Sequence, residues 1–299
     1  MDYGLCLPNF LAGASGEGID AGAAVAERLG WSTVWTTDHL LVPRDASDEY
    51  GHIYEALLTL AWVGARHPGI RLGSSVIVVP QRNAVLLAKE LATLDSLTGG
   101  RVIAGVGVGW NRNEFANLGA DQRFAVRGAY LDETIRLWRH LWSGSTEPFR
   151  GRFHTLDDFT FSPLPDQGAS LPILVGGRAE RALQRAGALG DGYHSSATSP
   201  SQYAQRLPTI RAAAAAAARP MPSLSARVRV EFDPTTSGYA MRGSPDEIAA
   251  EVRAFAQIGI THLALSFGTT DPAQLVTHAE RFAREVAPLA EGSAGPRGT

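Results

Sequence analysis

The stretch Leu87-Ala88-Lys89-Glu90-Leu91-Ala92-Thr93-Leu94-Asp95-Ser96-Leu97-Thr98-Gly99-Gly100-Arg101-Val102-Ile103-Ala104-Gly105-Val106-Gly107 changes its repeat partway along. Leu87, Leu91, Leu94 and Leu97 recur at three- and four-residue spacing, the stripe of one helix face. Gly99 falls where such a helix stops, and residues 101–107 then run as a short apolar strand. The same exchange repeats outward in both directions. Strand-like runs lie at 3–8, 32–37, 71–79, 101–107, 171–175, 190–195, 224–232 and 260–267. Between them stand helical patterns such as Leu131, Ile135, Trp138, Leu141 and Trp142. Ser244-Pro245-Asp246-Glu247 joins a capping box to a proline at the first helical position, and Asp271-Pro272 opens the last helix similarly. Residues 149–165 read as a hairpin-like insertion before the fifth strand. Eight β-then-α units in this order favour a closed (β/α)8 TIM barrel with insertion segments; an open doubly wound sheet is the alternative. Residues 1–290 form one domain in this reading, and 291–299 a flexible C-terminal tail.

Composition narrows the function. With 44% hydrophobic and 19% charged residues among 299, and no long unbroken apolar run, the chain is neither disordered nor membrane-spanning. A net charge of −3 without blocks of like charge argues against nucleic acid as a partner. The lone cysteine, Cys6, reads as a small buried hydrophobe, and with no export signal at the N-terminus a cytoplasmic location is expected. The histidines form no His-x-His or His-Glu-x-x-His motif, so no metal is expected. No Gly-x-Ser-x-Gly elbow is present. Of the 27 basic residues, 26 are arginine, a weak pointer to a GC-rich bacterial source. The one lysine, Lys89, sits mid-helix on the outer layer, which removes Schiff-base catalysis from a strand end.

A barrel places its chemistry at the C-terminal strand ends. Asp38-His39 follows the second strand; either side chain could bond a ligand or move a proton, or both could be ordinary loop groups. Ser74-Ser75-Val76, followed by Pro80-Gln81-Arg82-Asn83, belongs to the end of the third strand. The glycines of Gly105-x-Gly107-x-Gly109 suit backbone approaching a flat ligand, or equally close packing of strand on helix. Gly176-Gly177-Arg178 opens a helix and offers N–H groups and a guanidinium to an oxyanion, the plain alternative being a tight turn with a solvated arginine. His194 ends the sixth strand. The segments 40–53 and 232–243 are expected to shape the pocket.

With these residues in place, the sequence strongly resembles the luciferase-like oxidoreductases, above all the branch that uses the deazaflavin coenzyme F420. The resemblance rests on Leu29-Gly30-Trp31-Ser32-Thr33-Val34-Trp35 before Asp38-His39, and on Ile70-Arg71-Leu72-Gly73-Ser74-Ser75-Val76. It continues through Thr98-Gly99-Gly100-Arg101, residues 105–114, Leu174-Val175-Gly176-Gly177 and Gly190-Asp191-Gly192. It implies hydride transfer between the deazaflavin C5 and a small organic substrate. The alternatives are an FMN-dependent monooxygenase using O₂ and a non-catalytic protein that only binds the flavin-like ligand. The resemblance implies that Asp38, His39, Ser74, Ser75, Val76, Gly107, Val108, Gly109, Asn113, Gly176, Gly177 and Arg178 bind the cofactor. Ser75-Val76 matches a non-prolyl cis peptide that bulges against the ring. His39 is the expected proton donor or acceptor; Trp110 and His194 are expected in the substrate pocket. The branch's sugar-phosphate dehydrogenases carry an acidic glutamate where Trp110 stands, so their chemistry is not carried over. A homo-oligomer, a dimer, is expected from the resemblance alone.

Overall fold

The computed structural model describes residues 1–233 and 237–292. Its strands are β1 (Asp2–Cys6), β2 (Thr33–Thr36), β3 (Arg71–Ser74), β4 (Ile77–Val78), β5 (Val102–Gly107) and β6 (Phe149–Arg150), followed by β7 (Thr155–Leu156), β8 (Ile173–Gly176), β9 (Gly192–Ser196), β10 (Ser223–Glu231), β11 (Met241–Arg242) and β12 (His262–Ser266). Parallel pairing runs β1, β2, β3, β5, β8, β9, β10, β12 and returns to β1. Because β10 pairs with both β9 and β12, no edge is left. Among the described residues, eight staves therefore close a barrel, and the open-sheet alternative is excluded. No helix among these residues is long and apolar enough to cross a membrane. The last helix runs Ala287–Glu291, and 293–299 of the expected tail lie outside the described residues.

The helical layer forms where the apolar stripes predict it. Helix Ala84–Leu97 buries Leu87, Leu91 and Leu94, and leaves Leu97, the fourth residue of the stripe, exposed at its end. Trp138 and Trp142 of helix Arg127–Trp142 are fully buried against it. Their indole N–H groups donate to the carbonyls of Ala84 (2.9 Å) and Ala88 (3.1 Å), so two large apolar bodies enter the core without stranding a donor. The capping box at Ser244 forms with Glu247, and Asp271 caps the last long helix through Gln274 N. β6 and β7 make the expected antiparallel insertion. Lys89 pins that insertion to the barrel: its Nζ donates to Ser162 O at 2.6 Å and lies 4.0 Å from the Phe161 ring centroid.

One strand departs from a continuous run. The apolar stretch 71–79 is split into β3 and β4, and the Ser75–Val76 peptide between them is cis, the form the resemblance implies. β10 shows the other feature that matters for the site. Leu224, Ala226, Val228 and Val230 join the core under the helices, so Ser225, Arg227, Arg229 and Glu231 take the opposite, barrel-facing side. Near the barrel floor, Trp35 donates to His262 Nε2 at 3.1 Å, and His262 Nδ1 meets Asp2 at 2.8 Å.

Candidate active site

The C-terminal end of the barrel has a floor and a rim. The floor is the Ser75–Val76 bulge, fitted into a mould of glycines. A Cβ on Gly105 would run into the Ser74 carbonyl oxygen, one on Gly107 would lie 2.6 Å from Val76 Cγ2, and one on Gly176 would lie 3.0 Å from Val76 Cγ1. The space freed by Gly107 and Gly176 is thus filled by Val76, not left for a ligand. Gly109 is similar: its φ is +71°, and an added Cβ would sit 2.6 Å from Val78 and 2.9 Å from Phe115. The close-packing reading of these glycines is the one the geometry supports.

Two other expected contacts prove to be supports of the floor. Ser74 Oγ is buried and donates to Gly105 O at 2.8 Å. Asp38 does not present its carboxylate to the mouth. Its side chain is wholly buried, with one oxygen accepting from Val78 N at 2.8 Å and the other from Arg82 at 2.6 Å. Arg82 also reaches Glu55 at 2.9 Å, so the bulge is buttressed from outside by an ion-paired chain. From inside, Arg227 donates to Ser75 O at 3.0 Å.

His194 is likewise not in the substrate pocket. It lies under the bulge, fully buried, hydrogen-bonded to Ser75 Oγ through Nε2 (2.9 Å) and to Ser225 Oγ through Nδ1 (2.8 Å). Its ring stacks on Trp35 with centroids 4.7 Å apart. Burial, reinforced by the positive fields of His262 and Arg227, holds its pKa down to about 3, so it stays neutral. The unfolded chain takes up this proton near pH 6.5, whereas the folded chain does so only near 3. Stability is therefore lost progressively as pH falls through that window. In His194→Gln, urea midpoints followed from pH 7 to 4 should fall less steeply than in wild type; an identical slope would remove His194 as the source.

The rim carries the reactive groups. His39 is only 7% exposed, so it is not a surface imidazole. Its Nδ1 lies 2.9 Å from Glu114 Oε2, while Glu114 Oε1 accepts from Leu40 N at 2.8 Å. Burial pushes the Glu114 carboxyl up, but the bonds from His39 and Leu40 outweigh it and leave the group below its usual range. A carboxylate at Nδ1 fixes a proton there and turns the Nε2 lone pair outward. The His39 ring packs 4.2 Å from Tyr50, from helix Ser47–Tyr50 in the 40–53 segment, and 6.1 Å from Trp110 edge-on. Trp110 is 62% exposed, which excludes a core role for it.

On the other side of the mouth, Gly177 and Arg178 are exposed between β8 and helix Glu180–Leu189. The residue capping that helix is Ala179, which has no side-chain acceptor; Ala182 N bonds back to Ala179 O at 2.8 Å, and the Glu180 and Arg181 N–H groups receive no side-chain cap. Ser15, Asn83, Asn111 and Ser199 cap their own helices, whereas Val126 and Arg206, like Ala179, provide no side-chain cap. Arg178 donates to Ser196 O at 3.0 Å. Asn113 is exposed, and Val108 and Gly109 are half-buried, at the rim. A cavity of about 510 Å³ opens here, lined in part by Phe10, Tyr50, Arg178, Arg227, Arg229 and Tyr239. Tyr239 comes from the 232–243 segment, as Tyr50 comes from 40–53. Glu114, Tyr50, Arg227 and Arg229 are functional candidates that motif reading passes over. The signal for the two arginines was their alternation with apolar residues in Leu224-Ser225-Ala226-Arg227-Val228-Arg229-Val230.

Known proteins are similar to this chain. A relative from Kineococcus radiotolerans named F420-dependent glucose-6-phosphate dehydrogenase is 27% identical, aligned over 89% of this chain and 91% of its own. One of the same name from Mycobacterium tuberculosis is 33% identical over 71% of this chain, and the match spans 64% of that relative. The solved structure of an F420-dependent secondary alcohol dehydrogenase, in complex with an F420-acetone adduct, superposes with a TM-score of 0.82. It is 19% identical and covers 97% of this chain and 99% of its own. The profile of the luciferase-like monooxygenases matches residues 1–237. This chain belongs to the luciferase-like monooxygenase family.

Proposed function

We propose that this protein is a coenzyme F420-dependent oxidoreductase that transfers a hydride between the deazaflavin and a small organic substrate. The observation that carries this reading is the pairing of the glycine-moulded bulge with an uncapped helix start at one barrel mouth. The relatives' F420 dependence points the same way. The donor set fits such a group. Ser75 and Val76 support the flat ring, and Val108, Gly109 and Asn113 flank it. The N–H groups at Gly177 and beyond, with the Arg178 guanidinium, take its phosphate. When bound, F420 supplies a hydride donor or acceptor at C5.

The chain's own contribution is placement and proton handling. Holding two reactants face to face can account for about 7–11 kcal/mol of a barrier. His39 Nε2 is the position at which a proton is held or accepted, and Glu114 keeps the opposite ring nitrogen protonated so that Nε2 is correctly disposed. Trp110 cannot donate a proton and serves as a wall against the substrate. Asp38, Ser74 and His194 act on the ligand only through the shape of the bulge.

Titration of the protein with F420 and, separately, with FMN, followed by fluorescence of its six tryptophans, tests the cofactor. Saturable quenching by F420 at micromolar concentration, with FMN much weaker, is the expected result. Tight FMN binding without F420 binding would move the protein to the O₂-using branch of the family.

A further inference from the structure

We infer that the substrate carries an anionic group, a carboxylate or a phosphate, and that Arg227 and Arg229 hold it in the cavity beside the bulge. This rests on the F420 reading only in assigning the anion to the substrate. Among the described residues the cavity wall carries Arg178, Arg227 and Arg229 against one carboxylate, Glu49. Arginines facing a barrel interior are costly to desolvate unless a counter-charge meets them. Arg227 and Arg178 are hydrogen-bonded to main-chain carbonyls alone, Ser75 O and Ser196 O, each at 3.0 Å. Their charge is thus left uncancelled toward the cavity.

Arg229 sits in a built slot. Gly268 has a φ of +65°, and a Cβ there would come within 2.7 Å of Arg229 Nη2. The guanidinium thus lies directly against the Gly268 backbone. Glu231, the nearest carboxylate to it, lies 3.8 Å away and is shared with Arg242 at 3.3 Å. That geometry is too long for a hydrogen-bonded pair with Arg229, so its fork remains open to a bidentate partner. Arg227 and Arg229 are two residues apart on one face of β10, stacked along the strand direction from the bulge toward the mouth. An oxyanion bound across them lies beside the ring-bearing floor, on the side where Tyr50 joins His39 to the cavity.

Two sources could supply an oxyanion here, the substrate and the cofactor's own phosphate, and loading the protein with F420 separates them. The probe is inorganic phosphate, titrated by calorimetry into protein saturated with F420, with chloride as the ionic-strength control. Saturable binding is expected, weakened about tenfold or more in Arg229→Gln and in Arg227→Gln. Arg227 also clamps Ser75, so Arg229→Gln is the decisive variant should Arg227→Gln misfold. Phosphate binding seen only without F420 would assign the arginines to the cofactor and overturn the inference. So would binding that is absent, or unchanged in Arg229→Gln. If F420 itself fails to bind in the tryptophan titration, the cofactor reading falls separately. Phosphate binding to the unloaded protein, lost in Arg229→Gln, would then still report the site.

Discussion

His39→Ala is expected to lower kcat by about 10²–10⁴-fold while F420 affinity stays within a few-fold. The size follows from the geometry. Nδ1 is committed to Glu114 at 2.9 Å, so the imidazole is held in one orientation with Nε2 on the side away from that carboxylate. The adjacent ring systems are poor substitutes: burial and Glu49 hold the Tyr50 phenol well above its usual range, and the Trp110 indole does not ionise near neutral pH. The substitution also removes the His39 bond from Glu114, whose buried carboxylate would keep its bond from Leu40 N and the nearby Gln81 amide. A fall in thermal stability is therefore expected alongside the loss of rate. His39→Asn, which can still donate to Glu114, should recover much of that stability and none of the proton transfer. Single-turnover rates and melting temperatures of the two variants separate the effects. Unchanged turnover in either would take His39 out of the mechanism and assign the proton step to another group.

Gly105→Ala is expected to destabilise the fold by about 3 kcal/mol or more and to abolish F420 binding. Its added methyl group would meet the Ser74 carbonyl oxygen and the Val76 side chain, both part of the bulge. Backbone oxygen cannot step aside as a flexible side chain can, so the clash must be relieved by shifting β3 against β5, or the bulge itself. Gly16→Ala is the matching control. Nothing lies within 4 Å of a Cβ there, and a gain of about 0.4–1 kcal/mol is expected from the stiffer unfolded chain. Urea denaturation of the two variants reads both signs. Equal small effects would mean that the bulge is not held by its glycine mould.

Much of this was legible in the chain, and the reasons for the rest are physical. Barrel strands are short apolar runs between helical stripes, and hydropathy reports both periods, so the eight staves and the 149–165 insertion could be read directly. What hydropathy cannot report is the state of one peptide bond, which is why 71–79 reads as a single strand while the structure divides it at Ser75–Val76. Motif positions at strand ends were correct in place but not in direction. Asp38 and His39 are neighbours, yet one side chain turns inward to Val78 and Arg82 and the other toward Glu114. Adjacent residues at a strand end face opposite ways, and only the folded backbone fixes which faces the mouth. Glu114 is 75 residues from His39 in sequence, and no local spacing links the two. His194 was misplaced for a related reason. Its position in β9, paired with Ser225 in β10, sets it below the bulge and not above it.

The glycine mould has a consequence for how such a protein could be redesigned. Gly105 is matched to the Ser74 carbonyl, and Gly107 and Gly176 to Val76, so the floor behaves as a single prefabricated part that tolerates little editing. Phe10, Tyr50, Trp110 and Tyr239 come from separate loops and meet nothing in that mould. Exchanging them reshapes what enters the mouth while leaving the seat of the ring intact, so new substrate preference can be sought at the rim with the floor treated as fixed.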